Sequence, residues 1–220
     1  MMRVGVVIFP GTNCDMDTYH ALKVVGIDPI YLWHKEHDLK DSEVIILPGG
    51  FSYGDYLRAG AIARFSPIMN EIIDFAKRGG YVLGICNGFQ ILLEAGLLPG
   101  AMLPNETNSF ICKEVLLEVV NNNTLFLKNY RVGEILKMPI AHKEGRYYIP
   151  DRGLEELKEY NQIVLKYHGE NPNGSVENIA GIINRKGNVM GLMPHPERAV
   201  EEILGSTSGL NLFLSLLEKV

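Results

Sequence analysis

The chain has 220 residues, of which 46% are hydrophobic and 21% are charged, and its formal net charge is −5. This balance is ordinary for a globular protein and excludes a disordered, collagen-like or low-complexity chain. The acidic charge without a basic cluster argues against a nucleic-acid partner, and the lack of an apolar run of roughly 18 residues argues against a membrane-spanning helix.

The first half of the chain alternates short apolar strands with helical stretches. Its start is predicted to be a strand, because the apolar run after Arg3 is too short for a signal peptide. Strands are predicted at Arg3–Phe9, Pro29–Trp33, Val44–Leu47 and Tyr81–Ile85, and helices at Met16–Val25, Ile68–Lys77 and Asn87–Ala95. This alternation predicts an α/β fold with a parallel sheet that helices cover on both faces.

The middle of the chain, roughly Lys113–Tyr167, has β-like runs with polar connections, and we expect antiparallel additions to the sheet there. Strands are predicted at Val115–Val120, Ile135–Ile140, Tyr147–Ile149, Ile163–Tyr167, Ala180–Ile183 and Val189–Met193, and helices at Gly153–Tyr160 and Leu210–Leu217. Asn173-Gly174 carries the signal of a hairpin turn. Without a repeat or a linker, residues 1–220 are expected to form a single domain.

Four unusual segments each follow a predicted strand. They are Pro10–Asp17 (PGTNCDMD), Pro48–Asp55 (PGGFSYGD), Cys86–Gln90 (CNGFQ) and Pro194–Arg198 (PHPER). In open parallel sheets, ligands bind outside the carboxyl ends of the strands. We therefore expect the four segments to converge on one rim and to form the functional site.

Gly84–Gly88 (GICNG) has the G-x-C-x-G pattern at a strand-to-helix junction. This is the cysteine form of the nucleophile elbow, a strained turn whose glycines permit close packing. The dipole of the following helix favours a thiolate at Cys86. The alternative is a buried structural cysteine that closes a hydrophobic strand. Cys14 and Cys112 have no base nearby in the sequence, so they rank below Cys86 as nucleophiles.

His195-Pro196-Glu197 puts an imidazole and a carboxylate two residues apart. In an extended segment such residues point to the same side, and Pro196 stiffens the backbone. An imidazole oriented by a carboxylate is the base that activates a cysteine nucleophile. The sequence therefore predicts a triad of Cys86, His195 and Glu197. The alternative is a surface histidine beside an ordinary helix-start glutamate.

Further candidates carry less signal. Backbone N–H groups at Gly49-Gly50 and Asn87 are candidates for an oxyanion hole, but a plain turn would also place glycines after a strand. His34 and His37 have the i, i+3 spacing of a metal pair without further ligands, so we expect a solvated loop and no metal site. The three cysteines form no CxxC pair, which favours a reducing, cytoplasmic setting.

Six motifs in chain order carry a family resemblance: PGTNCDMD, LPGGFSYGDYLRAGAIA, GICNGFQ, PIAH, NPNGS and GLMPHPER. GICNGFQ with the distant PHPE resembles the class I (triad) glutamine amidotransferases. The whole set, from Pro10 to Arg198, is similar more narrowly to the glutaminase subunits of phosphoribosylformylglycinamidine synthases, which act in purine biosynthesis. The chain departs from this pattern at Lys143, where related sequences usually have glycine after the histidine of PIAH.

The resemblance implies a flavodoxin-like, doubly wound α/β fold with a mostly parallel sheet. It also implies hydrolysis of L-glutamine to glutamate and ammonia through a cysteine thioester. The site residues that it implies are the catalytic Cys86, His195 and Glu197, the oxyanion donors Gly50 and Asn87, and the pocket residues Gln90 and His142.

Ammonia released into water becomes ammonium, which is not nucleophilic, so the reaction needs a partner that receives ammonia through a tunnel. The resemblance implies a separate synthetase subunit, which uses ATP and Mg²⁺ to convert formylglycinamide ribonucleotide to the amidine, and a small bridging subunit. The chain lacks the GxxxxGK[ST] pattern, and we expect it to hold no cofactor itself. The segments PGTNCD and FSYGDYLR are expected to dock the synthetase, unless they only buttress the pocket.

Two other functions are weighed against this one. Cysteine hydrolases of the same fold, such as the peptidase and deglycase relatives, usually take their histidine from just after the elbow, where this chain has Asn87. A non-catalytic, amidotransferase-like scaffold predicts the loss of a triad residue, but Cys86, His195 and Glu197 are all present.

Overall fold

A computed structural model describes residues 2–217 of the chain. The strands are β1 (Val4–Ile8), β2 (Ile30–Trp33), β3 (Val44–Leu47), β4 (Tyr81–Ile85), β5 (Ala101–Leu103), β6 (Ile111–Val119), β7 (Ile135–His142), β8 (Arg146–Tyr148), β9 (Ile163–Tyr167), β10 (Ile179–Ile183) and β11 (Val189–Leu192). The α-helices are α1 (Asp15–Val24), α2 (Pro67–Lys77), α3 (Asn87–Glu94), α4 (Asp151–Glu159) and α5 (Leu210–Leu214). The order in the large sheet is β2-β1-β3-β4-β11-β10-β9-β6-β7, and β5 pairs with β8 in a second sheet.

We call β1, β2, β3, β4 and β11 the parallel half of the large sheet, because they pair with one another in parallel. Every residue of β3 and of β11 is buried. A parallel sheet is buried on both faces because its crossover helices cover it, and α1, α2 and α3 contact these strands. The predicted α/β fold with a parallel sheet is confirmed.

We call β6, β7, β9 and β10 the antiparallel half, because these strands pair antiparallel with one another and β10 pairs antiparallel with β11. Along β7, buried residues alternate with more exposed ones, as in a sheet that has one solvated face. The predicted antiparallel additions are thus confirmed. β7 reaches the carboxyl end of β11, where the N–H of His195 donates to the carbonyl oxygen of Pro139 at 2.9 Å.

The predicted hairpin turn at Asn173-Gly174 is wrong, because these residues lie in a longer connection between β9 and β10. The buried side chain of Asn173 donates to the carbonyl oxygen of Gly145 at 2.7 Å and to the hydroxyl of Tyr167 at 3.1 Å. These bonds, rather than the local turn preference, set the shape of the connection. The sequence pattern also fails to predict β5, because three residues carry too little periodicity.

The core holds α3 against the middle of the large sheet. The Phe89 ring is fully buried and lies 6.0 Å from the ring of Tyr147. A Cβ at Gly191 of β11 would overlap the Phe89 ring, so the absence of a side chain there allows the helix to pack closely. The predicted last helix is shorter than expected, because its final turn, Ser215–Leu217, is a 3₁₀ helix. No helix in residues 2–217 has both the length and the apolar character needed to cross a membrane.

Candidate active site

The four segments that follow the strands meet at one edge of the sheet, as the sequence predicts. The N–H of Cys14 donates to the carbonyl oxygen of Gly49 at 3.2 Å. The N–H of Ser52 donates to Oδ1 of Asn87 at 3.1 Å. The guanidinium of Arg198 donates to Sγ of Cys14 at 3.0 Å. These bonds join the four segments into one rim, which we call the site rim.

Cys86 lies at a strained turn between β4 and α3. Its φ of 50° and ψ of −104° lie outside the regions that L residues favour. The turn depends on its glycines: a Cβ at Gly88 would collide with the carbonyl oxygen of Leu47, and a Cβ at Gly84 would lie 2.6 Å from the carbonyl oxygen of Gly88. The Cys86 thiol donates to the carbonyl oxygen of Ala141 at 3.8 Å. Strain of this kind is typical of functional sites.

His195 and Glu197 form a buried pair in the segment after β11. Nδ1 of His195 lies 2.6 Å from Oε1 of Glu197, and the two side chains are 2% and 0% exposed. Among the described residues, Nε2 of His195 and Oε2 of Glu197 have no hydrogen-bond partner. The ring is therefore held at one nitrogen and has its second nitrogen available for chemistry.

The surroundings of His195 favour its charged form. Burial lowers the pKa of His195, but the carboxylate of Glu197 and the nearby sulfur atoms of Cys86 and Cys14 together raise it well above its ordinary value. The structure thus brings Cys86, His195 and Glu197 together. A cysteine beside an imidazolium is poised for nucleophilic attack, because the charged imidazole stabilises a thiolate.

Gly49 and Gly50 lie between His195 and the first loop of the rim. A Cβ at Gly49 would lie 2.8 Å from Cε1 of His195, so only glycine lets the ring come this close. Gly50 has a φ of 144°, and a Cβ there would lie 2.8 Å from the backbone nitrogen of Asn13 and 2.9 Å from Cα of Thr12. The two glycines therefore allow His195 and the first loop to pack closely against this segment, in addition to forming the turn.

Asn87 and Gln90 lie in the first turn of α3, and their side-chain amides make hydrogen bonds that fix the position of Gln90. Nδ2 of Asn87 donates to Oε1 of Gln90 at 2.8 Å. Nε2 of Gln90 donates to the carbonyl oxygen of Glu144 at 2.5 Å. Gln90 is only 4% exposed. Its amide joins α3 to the residues after β7, so the structure brings Gln90 to the wall of the site.

His142 closes the site from the antiparallel half. Its Nδ1 lies 3.0 Å from Oδ1 of Asn105, and its Nε2 has no hydrogen-bond partner among the described residues. Burial, and then the charge of His195, lower the pKa of His142 to about 4. His142 is therefore neutral at physiological pH, and because its Nδ1 donates to Oδ1 of Asn105, its Nε2 can accept one hydrogen bond. Lys143, which departs from the family pattern, accepts the N–H of Asn105 at its carbonyl oxygen.

Sequence reasoning misplaced His34 and missed the pairing of Arg198 with Cys14. The prediction of a solvated loop at His34 is wrong. His34 is 4% exposed and its ring makes a hydrogen bond with the Tyr53 hydroxyl at 2.8 Å, because the loop after β3, which carries Tyr53, folds over it. The pairing of Arg198 with Cys14 has no local signal, because the two residues are 184 positions apart. Potential metal-binding atoms of Cys14, His195 and Glu197 lie within 4.8 Å of one another. The guanidinium of Arg198, which donates to Sγ of Cys14, would repel a metal cation there, so we assign no metal.

Comparison with known proteins identifies a family and close relatives. The model of the family described as "CobB/CobQ-like glutamine amidotransferase domain" matches residues 1–209 of the chain. The phosphoribosylformylglycinamidine synthase subunit PurQ of Chlorobium luteolum is 56% identical, covering 100% of this chain and 99% of the relative. The same subunit of Wolinella succinogenes is 56% identical, covering 98% and 99%. A chain in the structure of PurLQS from Thermotoga maritima has a TM-score of 0.90 and 51% identity, covering 99% of this chain and 98% of that one.

Proposed function

The chain belongs to the CobB/CobQ-like glutamine amidotransferase family, and from this premise we propose that it is the glutamine-hydrolysing subunit of a phosphoribosylformylglycinamidine synthase. The proposal rests on the buried His195–Glu197 pair beside the strained Cys86. A cysteine hydrolase of another specificity and a non-catalytic scaffold have no comparable support, because the relatives that match nearly the whole chain carry this synthase name.

The first half of the proposed reaction forms a thioester. The thiolate of Cys86 attacks the carboxamide carbon of L-glutamine, and the carbonyl electrons move to oxygen. The N–H groups of Gly50 and Asn87 are the proposed donors to this oxyanion. When the C–N bond breaks, protonated His195 gives its proton to the leaving nitrogen, and ammonia departs. The product on the enzyme is a γ-glutamyl thioester.

The second half of the proposed reaction restores the enzyme. Neutral His195 takes a proton from water as the water attacks the thioester carbon. The C–S bond then breaks, glutamate leaves, and the pair of thiolate and imidazolium is regenerated. The carboxylate of Glu197, 2.6 Å from Nδ1, holds the ring and stabilises its charged form throughout. Gln90 and His142 are proposed to line the glutamine pocket.

The test is release of ammonia from glutamine by the chain combined with its synthetase. Cys86→Ala should lower the rate by about 10³-fold or more, because the thioester cannot form. Cys112→Ala is the matched control, since Cys112 is an exposed free cysteine, and it should leave the rate unchanged. Wild-type ammonia release by Cys86→Ala would reject the proposed nucleophile.

We propose that the chain works in an assembly equivalent to the one named PurLQS in Thermotoga maritima. The synthetase subunit would use ATP and Mg²⁺ and receive the ammonia, and a small third subunit would bridge the two chains. No cofactor is assigned to this chain. A cytoplasmic location is proposed as well, because all three cysteines are free, as expected in a reducing compartment.

The proposed docking face for the synthetase is the apolar part of the loop after β3. Tyr56 and Leu57 are 73% and 90% exposed, and Leu57 has a φ of 70°. The rings of Phe51 and Phe110, also exposed, lie 6.4 Å apart beside this loop. Large exposed apolar side chains next to a site that must deliver ammonia are typical of a protein interface.

Substitutions of apolar residues test this docking face better than charge reversal. Arg58 already makes two hydrogen bonds with Glu94, at 2.7 and 2.6 Å, so its reversal would also break an ion pair within this chain. Tyr56→Ser with Leu57→Ser should weaken complex formation with the synthetase by about 10-fold or more. Val132→Ser is the matched control, because Val132 is exposed near the other end of β7. Equal affinity of both variants would contradict this face.

A further inference from the structure

The segment Pro10–Asp17 is the part of the site rim that the proposed reaction leaves without a role. It supplies no proposed nucleophile, base or oxyanion donor. Its Cys14 is nevertheless 3% exposed, and Sγ lies within 4.8 Å of ligand atoms of both His195 and Glu197. A small polarisable side chain buried against a catalytic base calls for a physical explanation.

The backbone of Cys14 holds the peptide that joins Gly49 to Gly50. Its N–H donates to the carbonyl oxygen of Gly49 at 3.2 Å. No peptide among the described residues is cis, and in a trans peptide the N–H points away from the carbonyl oxygen of the same plane. The N–H of Gly50 is therefore directed to the side opposite Cys14. Rotation of this peptide would lose the bond to Cys14.

The neighbours of Cys14 pack directly on the same glycine. Thr12 and Gly50 form a β-bridge, and the N–H of Phe51 donates to the carbonyl oxygen of Gly11 at 3.0 Å. A Cβ on Gly50 would lie 2.8 Å from the backbone nitrogen of Asn13. The loop thus braces Gly50 from one side, and the braced group is a proposed oxyanion donor.

The side chain of Cys14 fills the space beside the triad histidine. A Cβ at Gly49 would lie 2.8 Å from Cε1 of His195 and 3.2 Å from Sγ of Cys14, so the ring and the sulfur both approach the same point beside Gly49. With the sulfur in place, the space next to the ring is occupied. His195 then has less room to turn away from Cys86.

Arg198 and Asp17 hold the sulfur in this position. Nη2 of Arg198 donates to Sγ of Cys14 at 3.0 Å, and Nε donates to Oδ2 of Asp17 at 3.0 Å. Arg198 directly follows Glu197 in the chain. The guanidinium therefore ties the start of α1 to the turn that carries the triad base and its carboxylate.

We propose that Cys14 is a positioning residue for glutamine hydrolysis: its N–H fixes the Gly49–Gly50 peptide, and its sulfur, held by Arg198, keeps the His195 ring directed at Cys86. This inference rests on the proposed function. Cys14 acts through these groups and does not touch the reacting carbon. Its effect falls on the chemical step rather than on glutamine binding.

The test compares Cys14→Ala and Cys14→Ser in the complex with the synthetase. Cys14→Ala should lower kcat about 10-fold, which is less than the roughly 10²–10³-fold cost of losing an oxyanion donor, and should leave KM for glutamine within about twofold. The alkaline limb of the pH profile should move to lower pH, because the Cys14 sulfur no longer favours the charged form of His195. Cys14→Ser keeps a polar atom for Arg198 and should recover most of kcat.

Two results would overturn the inference. One is a wild-type kcat and pH profile in Cys14→Ala. The other is a fall in kcat that Cys14→Ser does not relieve and that leaves the pH profile in place. If Cys14→Ala does not fold, Arg198→Gln provides the second variant and should lower kcat with little change in KM, because the guanidinium no longer holds the sulfur. A wild-type kcat in this variant would then overturn the inference. Labelling with an electrophilic glutamine analogue tests the proposed function separately, because failure to label Cys86 in the wild type would reject the nucleophile itself.

Discussion

The two halves of the large sheet contribute different parts of the site. The parallel half carries Cys86 after β4, the glycine loop after β3, and His195 with Glu197 after β11. The antiparallel half contributes a wall, in which the carbonyl oxygen of Ala141 accepts the Cys86 thiol and the charge of His195 lowers the pKa of His142. The groups proposed to make and break bonds therefore come from strands buried on both faces, whereas the wall comes from a strand that solvent reaches.

The difference follows from strand direction. Parallel neighbours all end at the same edge of the sheet, so consecutive strands can deliver several groups to one point. In the antiparallel half only alternate strands, β9 and β7, end at that edge. This half can therefore add a wall to the site but cannot concentrate as many groups there.

The largest expected effect is on the kinetics of ammonia release, where we compare the substitution of one residue from each half. Glu197→Gln should lower kcat by roughly 10²–10⁴-fold with little change in KM, because the amide no longer stabilises the charged imidazole. His142→Gln should mainly raise KM for glutamine, because the side chain is proposed to line the pocket. Steady-state kinetics of ammonia release separates the two cases. If His142→Gln lowers kcat as much as Glu197→Gln does, this division of labour between the halves is wrong.

The next effect concerns stability. Gly88→Ala should lower the free energy of unfolding by about 3 kcal/mol or more, since its Cβ collides with the carbonyl oxygen of Leu47 in the buried parallel half. Gly133→Ala is the matched variant in the antiparallel half. It has a φ of 84° and nothing within 4 Å of the added Cβ, so it should cost only about 1 kcal/mol. Urea unfolding of both variants provides the comparison, and equal losses would contradict it.

Stability should depend on pH with opposite sign at the two buried histidines of the site, His142 and His195. The pKa of His142 falls from 6.5 to about 4 on folding. Between these values only the unfolded chain binds the proton, so stability falls as the pH falls, by up to about 3 kcal/mol. The pKa of His195 is raised, so its contribution is complete below its ordinary pKa and is lost as the pH rises through the folded value.

Urea unfolding at pH 7 and pH 4.5 would measure this dependence. His142→Gln has no group that titrates at this position, so it should lose less stability on acidification than the wild type does. An equal loss in both proteins would assign the acid sensitivity to other groups.

The smallest effect is expected at the exposed edge of the antiparallel half. Nζ of Lys137 lies 2.5 Å from Oε2 of Glu114 on the neighbouring strand, and both side chains are 45% exposed. Solvent screens such a pair, so Lys137→Ala should cost less than about 1 kcal/mol, and salt should reduce the cost further. Thermal unfolding at low and high salt measures it. A larger, salt-independent loss would indicate that the stem of Lys137 packs into the fold.

Local sequence determined the parallel half and the identity of the triad candidates. The predicted bounds of β3 and β4, Val44–Leu47 and Tyr81–Ile85, match the structure. A continuous apolar run bounded by glycine or proline indicates a strand buried on both faces. Because the run consists of adjacent residues, it can be recognised from the sequence alone. The G-x-C-x-G and His-Pro-Glu patterns were readable for the same reason, because a strained elbow and a stiff pair are local arrangements.

Only the tertiary structure decided what surrounds these groups. Arg198 meets Cys14 across 184 positions, His142 meets Asn105 across 37, and the loop after β3 buries His34. Each contact depends on where the topology brings two distant segments, and neither residue carries a local sign of its partner. Short-range periodicity records which face of an element is buried, but the hydrogen bonds that orient an imidazole or a peptide form only when the sheet has brought its strand ends together.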